Sequence, residues 1–269
     1  NYLTEGENIN FGLSRGLGSI SYASSAAVFG VLIERISPVI LGWAFAAGAA
    51  GILLTLISLP EVSHKEIGGK KKSLSMFPFI KKYKIYMLLL LGTTLQFAAA
   101  TSLSTYLINI VEGLGGTTSF YGIAVFFMAA SELPFMALVP WLKERVSTRT
   151  LLLFAAFMYV ARNLTIANAS GLGILLFGMA LQGASYGIFT ASITYYVHEV
   201  IDLDDGMMGQ TMIAVMTTGL GSTIGNVLGG VLQDAFGLNV MLYCTEVLTV
   251  IGLLLFFGVS VYDGRKESL

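Results

Sequence analysis

Eight crossings of a membrane by an all-α chain are what this sequence predicts, and three observations carry the prediction. The 269 residues are 55% hydrophobic and 12% charged, with a mean hydropathy of +0.77; soluble domains carry about twice that share of charge. Apolar runs of about 20 residues, the length that spans a bilayer core, recur along almost the whole chain. The charges that remain gather in a few short stretches between those runs. A net charge of −1 and a pI of 6.2 argue against nucleic acid as a partner. A single Cys244 forbids an intrachain disulfide, and two histidines leave no metal site to be read. The chain lacks both an initiator Met and a basic-plus-apolar leader, so it reads as a piece that enters a larger membrane protein partway.

The predicted spans lie at 16–34, 38–58, 84–108, 119–141, 148–168, 172–197, 209–233 and 238–260. At about 1.5 Å per helical residue each is long enough to cross with some tilt. Breaker residues mark the turns between them: Pro38, Gly115 and Gly116, Ser147, then Gly171 and Gly173. One connection is long, "LPEVSHKEIGGKKKSLSMFPFIKKY" at 59–83, basic and punctuated by two prolines. It divides the chain into two helices at 1–58, a central loop at 59–83 and a six-helix bundle at 84–269. If that loop is cytoplasmic, alternation places twelve of the fifteen Lys and Arg residues on the inner side, as the positive-inside bias requires. Both ends of the chain are then cytoplasmic. Two spans, a basic loop and six spans become a regular six-plus-six plan if four helices precede, the plan of transporters built from repeated halves.

Several stretches carry a resemblance to the major facilitator superfamily, in its lactose permease-like branch of oligosaccharide, nucleoside and phenylpropionate proton symporters. "FGLSRGLGSISYA" resembles that branch's fifth helix. "YGIAVFFMAASELPFMALVPWLKERVSTRTLLLFAAFMYVARNL" resembles the eighth and ninth, and "GQTMIAVMTTGLGSTIGNVLGGVLQDAFG" the eleventh. The resemblance covers nearly the whole chain as helices five to twelve and implies a partial major facilitator fold.

Arg15, Ser19, Tyr22 and Ala26 share one helix face. A guanidinium offers a planar fork to hydroxyls or a carboxylate, and a ring stacks on a sugar face. The resemblance implies substrate binding by Arg15 with Tyr22 as its stacking partner; the competing reading is an arginine that snorkels to headgroups. A soluble phosphate loop fails, since no strand precedes the glycines and no Gly-Lys-Ser/Thr follows. Gly16 and Gly18 instead suit close helix packing. Glu132 stands mid-span, where a carboxylate is costly unless paired or facing a wet cavity. Counting from the inner helix ends puts Glu132 and Arg162 at depths about 7 Å apart, within reach of long side chains. The resemblance implies sugar binding by Glu132 and proton coupling by Arg162. A structural ion pair is the alternative for Glu132, and outward snorkelling the alternative for Arg162.

Departures from the family pattern are as informative. Span 84–108 holds no acidic residue, and the tenth-helix positions where the branch carries a His-x-x-Glu pair read Gln182 and Ser185. A proton would therefore ride on Glu132 or on a carboxylate in the helices that precede. Gln96, Gln182 and Asn226 are further candidates for lining a solute path. Glu246 has no evident role. "PWLKERVSTRT" at 140–150 resembles a degenerate inner-loop motif and suggests a conformational latch of Glu144, Arg145 and Arg149, pairing with the acidic run Asp202, Asp204 and Asp205; ordinary positive-inside charge is the alternative. Gly221, Gly225 and Gly229 fall on one face and suit close packing. The sequons at Asn163 and Asn168 sit in or beside a very short loop and carry no glycosylation signal worth reading.

The expectation is a secondary active transporter of a small polar solute (sugar, nucleoside or organic acid), multi-pass in the cell membrane, monomeric when complete. It would need no cofactor beyond a proton gradient. Its partners would be the bilayer, the solute and the four helices preceding the chain. A drug or metabolite antiporter and a non-transporting sensor remain alternatives. No nucleophile–base or metal spacing in the spans suggests an enzyme.

Overall fold

Lipid offers backbone groups no hydrogen bonds, so a spanning segment must satisfy its own N–H and C=O groups as a helix. The computed structural model describes the backbone of residues 11–58 and 74–267, and within these the side chains outside 11–17, 19–20 and 262–267. Every regular element among the described residues is helical. Helix α1 (Phe11–Arg35) and helix α2 (Ile40–Ser58) follow one another across a turn at Ser37 and Pro38. The short α3 (Met76–Lys82) leads into α4 (Lys84–Thr105), which breaks at Tyr106 before α5 (Leu107–Gly113). Then come α6 (Thr118–Lys143) and α7 (Thr148–Ala167), joined by a tight corner. At that corner the Ser147 hydroxyl caps α7 by accepting from the Thr150 N–H at 3.2 Å.

The next two long helices are interrupted. Helix α8 (Leu172–Ala180) passes through a π turn at Gly183–Gly187 into α9 (Ile188–Val200). A short 3₁₀ turn at Leu203–Asp205 precedes α10 (Gly206–Ala214), a second π turn at Val215–Gly221 and α11 (Ser222–Phe236). Helix α12 (Leu238–Glu267) follows Gly237, whose φ of 87° lies in the left-handed region and allows the sharp reversal.

Seven helices among the described residues are long and apolar enough to cross a membrane: Ile40–Ser58, Lys84–Thr105, Thr118–Lys143, Thr148–Ala167, Leu172–Val200, Leu203–Phe236 and Leu238–Val261. The chain is thus a multi-pass membrane protein, with seven such helices against the eight expected. The first expected span is covered by α1, a continuous helix of 25 residues that carries five serines and three charged residues. The interior of the basic loop, residues 59–73, lies outside the described residues.

Glycines set the distances between helices. A Cβ at Gly92 of α4 would sit 2.8 Å from the Gly252 carbonyl of α12, and one at Gly252 would sit 2.7 Å from the Gly92 carbonyl. Helices α1 and α6 cross in the same way, with a Cβ at Gly122 falling 2.6 Å from the Ala26 carbonyl. The glycine triad that runs from the second π turn into α11 packs on α4 and Tyr106 as its spacing suggests: Gly221 on Phe97, Gly225 against the Ala98 carbonyl, Gly229 on Ser102 and Tyr106. Without a hydrophobic drive between helices in lipid, such close approach is what holds them.

The interior has two apolar clusters. One gathers Phe79, Tyr86, Leu90, Val139, Tyr159, Phe189, Tyr196 and Phe256; the other gathers Leu103, Leu107, Val125, Ile166, Leu175 and Met179. Between them, on four helices at once, fall Glu132, Arg162, Asn163, Gln182 and Thr249.

Close crossings make the glycines testable. Gly225→Leu forces a side chain into the Ala98 carbonyl and should destabilise the bundle by about 1–3 kcal/mol, read as a lower Tm of the detergent-purified protein. Gly258→Ala meets open space and should be neutral.

Candidate functional site

The polar layer between the clusters is built from α6, α7, α12 and the helix containing the first π turn. Glu132 lies on α6 two residues before Pro134, which has no N–H to give the preceding turn. Opposite it, α8 runs into the Gly183–Gly187 π turn. Gly183 is pressed onto the Ser131 carbonyl, and its N–H donates to the Ser131 hydroxyl at 3.0 Å. That approach lets Gln182 Nε2 donate to Glu132 Oε1 at 3.2 Å. Since an ionised carboxylate only accepts, the amide must turn its nitrogen to Glu132. Gln182 Oε1 is left buried without a hydrogen-bond partner.

Arg162 is 1% exposed, the largest fully buried side chain described. Its Nη1 donates to Asn163 Oδ1 at 2.9 Å, Nη2 lies 4.0 Å from Met128 Sδ on α6, and Nε has no partner. Met128 stands one turn from Glu132. Among the described residues no salt bridge joins Arg162 to a carboxylate. The two charges still lie within electrostatic range of one another and of the Tyr159 hydroxyl. Beside them is an aromatic wall: Phe97 of α4 lies 5.9 Å from Tyr159, 5.8 Å from Tyr186 and 5.9 Å from Phe189. A carboxylate, a half-used amide, a guanidinium and a bank of rings can together engage hydroxyls and a flat apolar face.

Of the residues singled out from sequence, the structure brings together Glu132, Gln182 and Arg162. Gln96 is elsewhere: it is buried, packed on Gly252, and its Nε2 is spent on the Ala156 carbonyl at 2.9 Å, tying α4 to α7. Asn226 is exposed on α11 and accepts from Thr105 Oγ1 at 2.7 Å. Tyr22 is 57% exposed on α1, within electrostatic range of Tyr121 on α6. The side chain of Arg15 lies outside the described residues. Sequence reasoning missed Asn163, Thr249 and Tyr159. The adjacent Arg162-Asn163 and the Thr245/Thr249 spacing in an apolar span were the available signals.

Helix ends carry the remaining charges. At the corner between α6 and α7, Lys143 pairs with Glu199 at 3.3 Å and lies over the Tyr195 ring, while Thr148 Oγ1 donates to Glu199 Oε1 at 2.7 Å. Arg145 stacks on Trp141 at 3.6 Å and Glu144 is exposed, whereas Arg149 is half-buried. Asp202 and Asp205, expected to serve that corner, instead bind Lys82 at 2.7 and 2.9 Å. The reason is proximity: α3 delivers Lys82 and Tyr83 directly onto the 3₁₀ turn, where Tyr83 also donates to Asp205 at 2.9 Å. The Leu74 N–H donates to Asp205 Oδ1 at 3.3 Å. At the far end of the bundle, Glu246 accepts from Asn168 Nδ2, which gives Glu246 a partner and commits the sequon asparagine. There too Glu34 of α1 accepts from the Ser119 N–H in the first turn of α6 at 3.0 Å. Among the described residues no three His, Cys, Asp or Glu side chains gather as a metal site would need.

Residues 1–244 match the MFS_1 like family. The chain is 25% identical over 250 residues to the maltose permease of Geobacillus stearothermophilus, covering 91% of this chain and 62% of that protein. It is 22% identical to the uncharacterized transporter YwbF of Bacillus subtilis (strain 168), covering 98% and 65%. Similarity to the xanthosine permease of Escherichia coli (strain K12) is 24%, over 51% of this chain and 34% of that one. A crystal structure of the nucleoside transporter NupG superposes with a TM-score of 0.68 at 19% identity, covering 90% of this chain and 65% of that one. The chain thus spans a little under two thirds of the first two relatives and of NupG.

The Lys82 cluster predicts a pH-dependent tether. Hydrogen bonds to Asp202, then Tyr83 and Asp205, raise the ammonium above the usual lysine range. Lys82 in turn holds the Asp202 carboxyl below the usual carboxylate range. The depressed carboxyl contributes stability above its unfolded pKa and loses it as pH falls through the folded value; the raised lysine loses its contribution only in strong alkali. Amide exchange over residues 74–83, corrected for its intrinsic pH dependence, should be slow at neutrality and rise below about pH 4. Lys82→Gln should show the fast exchange already at neutral pH.

Proposed function

Because the chain belongs to the MFS_1 like family of major facilitator transporters, we propose that it forms helices five to twelve of a secondary active transporter, and not part of an enzyme. The observation that carries the reading is the Glu132–Gln182 bond at 3.2 Å in a polar layer with apolar clusters on either side. An ionisable group at that depth costs about 2.5–3.5 kcal/mol without compensation, so its presence points to use. The solute would be a small polar molecule, a sugar or nucleoside foremost and an organic acid less so. The names of the maltose and xanthosine permeases and of the nucleoside transporter support that range.

In this reading α1 is an eighth span, the loop around 59–83 joins two bundles, and both ends of the chain face the cytoplasm. The carrier works in the cell membrane as a monomer. Alternating access rocks α1 and α2 against the bundle that begins at α4, about the Gly30–Gly122 crossing. Glu132 binds solute hydroxyls when ionised and takes up the coupling proton when the halves rock. Once protonated it gains an O–H and can donate to Gln182 Oε1 after the amide turns over, satisfying the oxygen that is unpaired in the present arrangement. Arg162 holds the complementary positive potential, and the aromatic wall takes the apolar face of the solute. Arg15 and Tyr22 would complete the site from α1, while Gln96 and Asn226 serve packing between helices. Lys143, Glu199 and the stretch with Glu144, Arg145 and Arg149 form the corner that latches one state.

Uptake by the full-length protein in proteoliposomes, with radiolabelled maltose and xanthosine and an imposed pH gradient, tests this. Gradient-driven accumulation of at least one is expected, and Glu132→Gln should cut it at least about tenfold, a loss of roughly 1.4 kcal/mol of coupling. Accumulation that survives Glu132→Gln undiminished would exclude the mechanism. Binding of either solute without movement would favour a sensor, and gradient-driven exit would favour an antiporter.

A further inference from the structure

We infer that Thr249 of α12, acting through Asn163, positions the guanidinium of Arg162, so that the last helix sets the geometry of the central layer. The inference rests on the reading above only for its effect on transport. All three residues are buried, Asn163 and Thr249 at 0% exposure and Arg162 at 1%. A threonine hydroxyl has one proton, and Thr249 gives its proton to the Thr245 carbonyl at 2.7 Å. Towards Asn163 it can therefore only accept, and it does so from Nδ2 at 2.9 Å. That fixes the amide with Oδ1 turned to Arg162 Nη1, also at 2.9 Å. The opposite orientation would set two N–H donors against the guanidinium and leave Thr249 Oγ1 facing an oxygen with no proton between them. The orientation of Asn163 is thus decided on α12, one residue away from the group it serves.

The acceptor is neutral, and this matters. A carboxylate there would hold Arg162 in a closed ion pair, whereas an amide oxygen orients the cation without cancelling its charge. Of the other guanidinium nitrogens, Nη2 faces α6 at Met128, which shares a helix face with Glu132. Arg162 is therefore presented towards the carboxylate, yet bonded elsewhere. Asn163 and Thr249 are positioning residues, without contact to a solute of their own.

A thermal double-mutant cycle on the full-length protein in detergent reads the coupling with no solute present. Thr249→Val should lower the Tm by about 3 °C or more, and Thr249→Ser, which keeps the hydroxyl, should restore it. With Arg162→Met there is no cation to orient, so Thr249→Val should cost clearly less than in the parent. Equal losses in both backgrounds would overturn the inference, as would failure of serine to rescue. If Thr249→Val alone does not fold, Asn163→Asp supplies an acceptor that needs no orienting and should restore folding of the double variant; no restoration would again overturn it. In proteoliposomes, Thr249→Val should raise the KM for maltose or xanthosine severalfold and shift the pH profile of uptake, with both recovered by Thr249→Ser. Full uptake by Arg162→Met would remove Arg162 from the transport mechanism and leave the thermal cycle to judge the positioning by itself.

Discussion

A buried guanidinium with no carboxylate among the described residues in ion-pair contact is the constraint around which the bundle is arranged. Arg162 cannot shed its charge as a lysine would, so burial has to be met by hydrogen bonds and nearby negative potential. The protein supplies a neutral oxygen from Asn163, sulfur from Met128 and the more distant carboxylate of Glu132. Asn163 lies beside Arg162 on α7, Met128 and Glu132 lie one turn apart on α6, and the two helices must be held close. Tight crossings follow from this need. Gly183 brings the π turn onto α6 at Ser131, and the Gly92–Gly252 contact brings α12 against α4, so that Thr249 can reach Asn163 on α7. The two apolar clusters exclude water on either side and strengthen the polar contacts between them.

The same logic explains why the layer is half satisfied. Gln182 Oε1 and Arg162 Nε lack hydrogen-bond partners, though almost every other polar atom in the layer has one. An unmet buried acceptor costs about 1–3 kcal/mol, and a fold free to remove that cost by mutation would replace the glutamine with a hydrocarbon. In the proposed mechanism that unmet acceptor is the one a protonated Glu132 would satisfy.

Much of the fold was legible because lipid-spanning helices announce themselves by length and apolarity, and the breakers Pro38, Ser147 and Gly171 stand at turns as read. The α11 glycine triad was read for packing and packs. The site was legible only in part. Glu132 and Arg162 stood out because charge is rare in spans, but Gln96 and Asn226 were judged by side-chain type alone. Type cannot tell which face of a helix meets a neighbour, and Gln96 proved to serve the α4–α7 contact. Tyr159, Asn163 and Thr249 lie on α7 and α12 in otherwise apolar spans, and only the contact between those two helices, which composition does not reveal, brings Asn163 and Thr249 together. Asp202 and Asp205 bind elsewhere than the sequence suggests for a different reason: α3 is a single short helix inside a loop, and nothing in its composition says it folds back onto the 3₁₀ turn at Leu203–Asp205.

Glu34 bears on how fast the molecule can change shape. It supplies to α6 a cap that a helix ordinarily takes from its own chain, at a position open to solvent. Further along, the two helices approach backbone to backbone at Gly30 and Gly122. Parting the two helices there exchanges one exposed hydrogen bond for hydration and costs about 0.5–1.5 kcal/mol for that bond. In the proposed rocking cycle, motion at this seam would fall in the microsecond-to-millisecond range of rigid-body rearrangements rather than local unfolding.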